Sequence, residues 1–130
     1  MNLTQLLCLG AGLAVATPLT RICAPEDVLR HTSRLARGLL RRPRAWNAPS
    51  AERWLMRLSR VVPGSNCLDR AVVLRCVGAW HGAAGRVVIG FRSRGASRGF
   101  EGHAWIEWED GGRSFVHDAD GYTPVHREGS

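Results

Sequence analysis

The segment Ser65-Asn66-Cys67-Leu68-Asp69-Arg70-Ala71-Val72-Val73-Leu74-Arg75-Cys76-Val77 constrains the fold more than any other. Ser65 and Asn66 are good N-cap residues. The apolar positions that follow occupy most of a helix's circumference, so this is a buried helix rather than a surface one. Pro63-Gly64 separates it from what precedes, and Gly82 and Gly85 close the turn after it.

Upstream, the chain reads as helices. A first helix is expected in the uncharged stretch Leu3 to Leu19. A second starts at Pro25, with Glu26 and Asp27 in its first turn. It puts Val28, Leu29, Leu35, Ala36, Leu39 and Leu40 on one face and the stripe Arg30, Arg34, Arg37 and Arg41 on another, and stops at Pro43. A third, beginning near Pro49 or Ser50, carries Trp54, Leu55, Leu58 and Val61 inward and Arg53, Arg57 and Arg60 outward. Charge follows this division. All 18 basic residues are Arg and the net charge is +7, yet residues 1–60 hold ten Arg against Glu26, Asp27 and Glu52, whereas residues 61–130 are balanced. The Arg stripe is either a solvated helix face or a docking face for an acidic peptide or protein. Nucleic acid is the weaker reading, because no aromatic platform or nucleic-acid motif accompanies the charge.

Downstream, Arg86 to Phe91 is rich in β-branched residues and reads as a strand. Residues 92–102 have a loop's composition, with Phe100 and Glu101 as lips of a substrate cleft or as parts of a plain connector. His103 to Trp108 and Arg113 to Asp118 then form a hairpin around Asp110-Gly111. A two-residue turn there places His103 directly opposite Asp118, with Cβ atoms about 4.5–5.5 Å apart, within reach of an imidazole–carboxylate hydrogen bond. Trp105, Glu107 and Glu109 share the face of His103, and Ala104, Ile106 and Trp108 take the other.

Cys67 completes a constellation. In the first turn of a buried helix, unpaired backbone N–H groups and the positive end of the helix dipole favour a thiolate. A thiolate paired with an imidazolium that a carboxylate orients is a nucleophile able to attack an amide at neutral pH. The Cys67 N–H is a natural oxyanion donor, and the sequence does not identify a second. Asp120 competes with Asp118 as the orienting acid, but the hairpin favours Asp118. Cys67, His103, His117 and Asp118 lack the ligand spacing of a zinc site, so no metal or cofactor is expected.

Cys67 at a helix start, a His opening a strand within HAW, and an Asp ending the next strand resemble the transglutaminase-like, papain-related superfamily. More narrowly, NCLDRAVVLRC followed by RVVIGF and HAWIEW is similar to the stand-alone leader peptidases of lasso-peptide biosynthesis, over most of residues 50–120. The resemblance implies an α+β fold, with N-terminal helices and a nucleophile-bearing helix packed on a small antiparallel sheet. It also implies a cysteine protease that removes the leader of a ribosomally made precursor, with Cys67 as nucleophile, His103 as general base and acid, and Asp118 as orienting carboxylate. The implied partners are the precursor's leader, a small leader-recognition protein and an ATP-dependent lasso cyclase. Asp69 departs from the family, whose members often carry Pro or Ser there. Residues 1–130 are thus expected to form a single domain, with a basic helical region at 1–62 and a catalytic core at 63–130. Substrate or partner contacts fall to Arg30, Arg34, Arg37, Arg41, Phe100 and Trp105. Acyl transfer to an amine, or a catalytically silent basic binding module, are the competing readings.

The four cysteines show no CxxC pair and read as free thiols of a reducing compartment, with Cys8, Cys23 and Cys76 as small buried apolar residues. The N-terminus lacks the basic n-region of a signal peptide, and its apolar stretch is short for a membrane span and contains Gly10, Gly12 and Pro18. A cytoplasmic protein is expected, with a first helix that is buried or touches a membrane. His31, His81 and His126 read as surface or loop residues, Trp54 and Trp80 as packing residues, and Trp46 as an exposed interaction aromatic.

Overall fold

The computed structural model describes residues 3–39, 46–95, 99–116 and 121–128, with four helices preceding a four-stranded sheet. Helix α1 (Leu3–Ile22), α2 (Pro25–Leu39) and α3 (Ala48–Ser59) surround α4 (Cys67–Trp80). Helix α4 lies on strands β1 (Gly85–Ser93) and β2 (Phe100–Trp108). Strands β3 (Arg113–Ser114) and β4 (Thr123–Arg127) complete an antiparallel sheet in the order β3-β2-β1-β4. This is the expected α+β arrangement, with the Cys67-bearing helix packed on a small antiparallel sheet.

Helix α4 is buried because apolar side chains leave it in every direction: Ala71, Val73, Leu74, Val77 and Ala79 are all buried. They belong to one core that also takes in Leu9 and Leu13 of α1, Leu29 of α2, Leu55 of α3, and Val87, Val88, Ala104 and Ile106 of the sheet. At the start of α4, Asn66 and Asp69 form a reciprocal capping box: the Asp69 N–H donates to Asn66 Oδ1 (3.0 Å) and the Asn66 N–H to Asp69 Oδ2 (2.9 Å). Asp69 is fully buried, and the Thr20 hydroxyl of α1 donates to its other oxygen. Asp69 therefore ties the first helix to the start of α4. At the far end, buried Glu128 accepts from the Val87 N–H (2.8 Å) and pairs with Arg75 of α4, which holds the end of β4 against the core.

Helix α1 is the one helix among the described residues long and apolar enough to cross a membrane, but one side of it, Leu9, Leu13, Ala16 and Thr17, is buried. Its other side shows Leu3, Leu7, Val15, Leu19 and Ile22 to solvent.

Several expectations about the helices need correction. On α2, Leu29 and Ala36 are buried but Leu35 is exposed, because it borders an open apolar groove of about 410 Å³ between α1, α2 and α4. Leu40 lies outside the described residues. Helix α3 begins at Ala48, capped by Asn47, whose side chain accepts from the Ser50 N–H. It buries Ala51 and Leu55 and half-buries Leu58. Spacings of four and three put these residues on one seam, which rotates Trp54 into solvent beneath the Arg57 guanidinium and leaves Val61 exposed beyond the helix end. Trp80 is likewise partly exposed. Trp46 is not an exposed aromatic: its ring stacks on His81 (5.2 Å) and meets Trp108 edge-on (6.3 Å). His81 is correspondingly buried, with Nδ1 on the Val77 carbonyl at the end of α4. Cys8 and Cys23 are exposed rather than buried, and no cysteine is in a disulfide.

The sheet is larger than expected. Strands β1 and β2 pair without interruption from Gly85–Trp108 to Ser93–Phe100, so the connector shrinks to the residues between them. The two arms are clipped by Glu101, which bonds Arg92 and Arg94. Strand β4 is an addition to the expected strands; as an edge strand paired to β1, with an irregularity at Ile89/Gly90, it tolerates Pro124.

Candidate active site

The Cys67 side chain, half-buried at the first position of α4, meets β2 at residues 103–104, where it is hydrogen-bonded to the His103 imidazole and to the Ala104 backbone. Burial pushes the thiol's pKa up. The His103 hydrogen bond, the Ala104 backbone bond and the positive charges of His103 and Arg70 outweigh that, and hold Cys67 below the ordinary thiol range. The start of a helix leaves the Cys67 N–H without an intrahelical acceptor, as an oxyanion donor requires. Cys67 and His103 are thus brought together as expected.

His103 is oriented on three sides. Its Nε2 lies 2.7 Å from the Phe115 carbonyl. A carbonyl only accepts, so Nε2 carries the proton there, and in the neutral ring Nδ1 is the nitrogen with a lone pair for the Cys67 proton. The ring packs near Trp105 (centroids 6.2 Å) and Tyr122 (5.3 Å), and the Arg92 guanidinium covers the Tyr122 ring at 4.6 Å. Trp105 is buried, so it acts as a wall behind the histidine. Its ring can lie there because Gly90, the β1 residue paired with His103, has no side chain: a Cβ at that position would come within 2.8 Å of the indole and 2.9 Å of the Thr123 carbonyl.

The hairpin differs from the expected one. Trp108 and Gly112 close a three-residue loop, with the Trp108 N–H donating to the Gly112 carbonyl, the Gly111 N–H to the Trp108 carbonyl, and Gly111 at positive φ. This is a type I turn extended by a left-handed glycine. It pairs Glu107 with Arg113 and Ile106 with Ser114, one residue away from the register that set His103 opposite Asp118. Pairing then ends, because Phe115 adopts φ +62°. The hairpin therefore does not carry the case for Asp118, and Asp118, Asp120 and His117 lie outside the described residues.

Of the expected binding residues, Arg30 and Arg34 are exposed on α2, with Arg30 also 3.4 Å from Asp27. Arg37 lies on the same helix with its side chain outside the described set, and Arg41 falls outside it altogether. Phe100 is 78% exposed at the start of β2, three residues before His103. Sequence reasoning did not find Tyr122, Arg70 or the Phe115 carbonyl. The first two carry no local signal of their role, and a backbone carbonyl carries none at all. Among the described residues no group of three or more His, Cys, Asp or Glu could hold a metal.

A family model described as the transglutaminase-like superfamily matches residues 11–127. The chain belongs to that superfamily. Its members are typically cysteine proteases or acyltransferases, and the match takes in α4, the whole sheet and most of α1. Comparison with curated proteins and with solved structures finds no match.

Proposed function

We propose that this transglutaminase-like protein is a cysteine peptidase that removes the leader from a lasso-peptide precursor, working with a leader-recognition protein in the cytoplasm and upstream of an ATP-dependent cyclase. The observation that carries the enzymatic part is the Cys67–His103 pair at the start of α4, with a thiol held low by hydrogen bonds and positive charge against the effect of its own burial. The narrower substrate rests on the motifs NCLDRAVVLRC, RVVIGF and HAWIEW.

In this reading the Cys67 thiolate attacks the scissile carbonyl carbon, and the Cys67 N–H receives the developing oxyanion. The His103 imidazolium protonates the leaving amine as the C–N bond breaks, which leaves a thioester on Cys67. Nδ1 then takes a proton from water, hydroxide adds to the thioester, and the thiolate departs. Asp118 is assigned the carboxylate that supports the imidazolium. Arg30, Arg34, Arg37 and Arg41 are assigned to the acidic partner or leader, and Phe100 to the cleft lip.

The test is mass spectrometry of a lasso-peptide precursor incubated with the protein and a leader-recognition protein. One cut between leader and core is expected, and none with Cys67→Ala, which should still bind the partner. Cleavage by Cys67→Ala, or no cleavage by the wild type, overturns the reading. A labelled amine joined to the product would instead mark an acyltransferase.

A further inference from the structure

We propose that Glu52 of α3 is a positioning residue for His103, acting through the backbone of Phe115. The inference rests on the reading of Cys67 and His103 as the catalytic pair. Three observations join into a chain. The Phe115 N–H donates to Glu52 Oε1 at 2.9 Å. Phe115 is the one non-glycine residue at positive φ among the described residues. Its carbonyl lies 2.7 Å from His103 Nε2.

A bulky residue occupies the left-handed region only where its surroundings over-determine it, and such residues concentrate at functional sites. Here the side chain of Phe115 is buried in the core, so it anchors one side of the peptide. Glu52 anchors the other by taking the Phe115 N–H, which the alternation of the β2–β3 ladder aims away from β2 and which therefore needs an acceptor from outside the sheet. Held at both ends, the residue turns its carbonyl toward His103. The histidine is thereby fixed as the Nε2–H tautomer, with Nδ1 left for Cys67. An acid in the basic helical half is in this way part of the site in the other half. Its function is geometric: what matters is an acceptor oxygen at the right reach, not a negative charge.

Two single substitutions separate these properties. Glu52→Gln keeps the reach and the acceptor and removes the charge, whereas Glu52→Asp keeps the charge and withdraws the oxygen by one methylene. The first readout is the pH profile of Cys67 alkylation by iodoacetamide, which needs no peptide substrate, in a Cys8→Ser/Cys23→Ser background. The second is the ¹⁵N shift of the His103 ring, which reports the tautomer. Glu52→Gln should reproduce the wild-type profile and tautomer. Glu52→Asp should move the profile to higher pH, slow alkylation at pH 6 by about tenfold and mix the tautomers, with KM unchanged in any cleavage assay. A Glu52→Asp protein indistinguishable from wild type, or a Glu52→Gln protein as impaired as Glu52→Asp, overturns the role of Glu52. If wild-type Cys67 itself reacts no faster at pH 6 than glutathione, the catalytic pair fails and this inference fails with it. A reactive Cys67 that cuts no precursor removes only the lasso-peptide assignment.

Discussion

Cys67 and Cys76 stand nine positions apart on α4, about 13 Å along its axis, and the structure drives their thiols in opposite directions. Burial raises both. At Cys67 the bonds from His103 and Ala104 and the nearby positive charges reverse that effect. At Cys76 the Arg75 charge does not, and the thiol is pushed up to about 11. A lowered pKa means more thiolate at any pH below the ordinary thiol range, and a raised one means less. Iodoacetamide at pH 6 should therefore label Cys67 and spare Cys76, as peptide mapping will show. Equal labelling of the two would contradict the electrostatic account.

That contrast also shows which parts of the molecule were legible in the sequence. The buried helix, its start at Asn66-Cys67 and the strand that opens with His103 all follow from local pattern, because periodicity and capping report directly on burial and helix ends. The turn was the weak point. Asp110-Gly111 is compatible with both a two-residue and a three-residue loop, and the choice shifts the pairing by one residue and changes what faces His103. Trp46 and His81 were misplaced for a different reason: their burial comes from each other and from Trp108, contacts between segments far apart in the chain. Glu52 and Tyr122 reach the site only once α3 and β4 are packed.

Gly90→Ala should be among the most costly small substitutions in the sheet. The new methyl would press on the Trp105 ring, which can yield, and on the Thr123 carbonyl, which belongs to the β4 backbone. Overpacking of this kind costs on the order of 1–3 kcal/mol. Denaturant titration should show that loss, and Cys67 alkylation should slow as well, since Trp105 flanks His103. Unchanged stability would mean that β4 separates from β1 freely at this point.

Asp69→Ala removes the capping-box carboxylate and the acceptor of Thr20 together. It leaves the Asn66 N–H and the Thr20 hydroxyl to find other partners, and each unsatisfied buried donor costs about 1–3 kcal/mol. A clear fall in Tm is expected, with a smaller one for Thr20→Val, which gives up one bond only. Because the cap also sets the helix start at Cys67, alkylation of the surviving folded protein should slow. A Thr20→Val protein less stable than Asp69→Ala would show that the α1 contact, not the cap, is what the carboxylate secures.

Glu107 gives a test of acid sensitivity. Burial raises its pKa, but the bonds and charge from Arg86 and the bond from Trp105 prevail, and the carboxyl ends below its ordinary value. A carboxylate depressed by folding stabilises the protein above the unfolded-state pKa, about 4.3, and that contribution is lost as pH falls through the folded-state value. Glu107→Gln should thus be less stable than wild type near pH 7, by no more than about 1 kcal/mol because Arg86 is half exposed. The two unfolding curves should converge at acidic pH. A gap that persisted below pH 3 would assign the loss to packing rather than charge.

The Arg face of α2 can be separated from a merely solvated surface by salt. Arg30 and Arg34 are exposed, and the Arg30 contact to Asp27 at 3.4 Å is a surface pair of little energetic weight. If the face engages an acidic leader or its carrier, Arg30→Ala/Arg34→Ala should weaken that binding several-fold at low ionic strength. The difference from wild type should shrink toward 0.5 M salt, where the screening length falls to a few Å. Alkylation of Cys67 should be unaffected, because neither residue contributes to its electrostatics. Isothermal titration at two salt concentrations measures this directly. Binding indifferent to both the substitutions and the salt would return the stripe to solvation, and would move the search for the partner surface to the apolar side of α1, where Leu3, Leu7, Val15 and Leu19 are exposed.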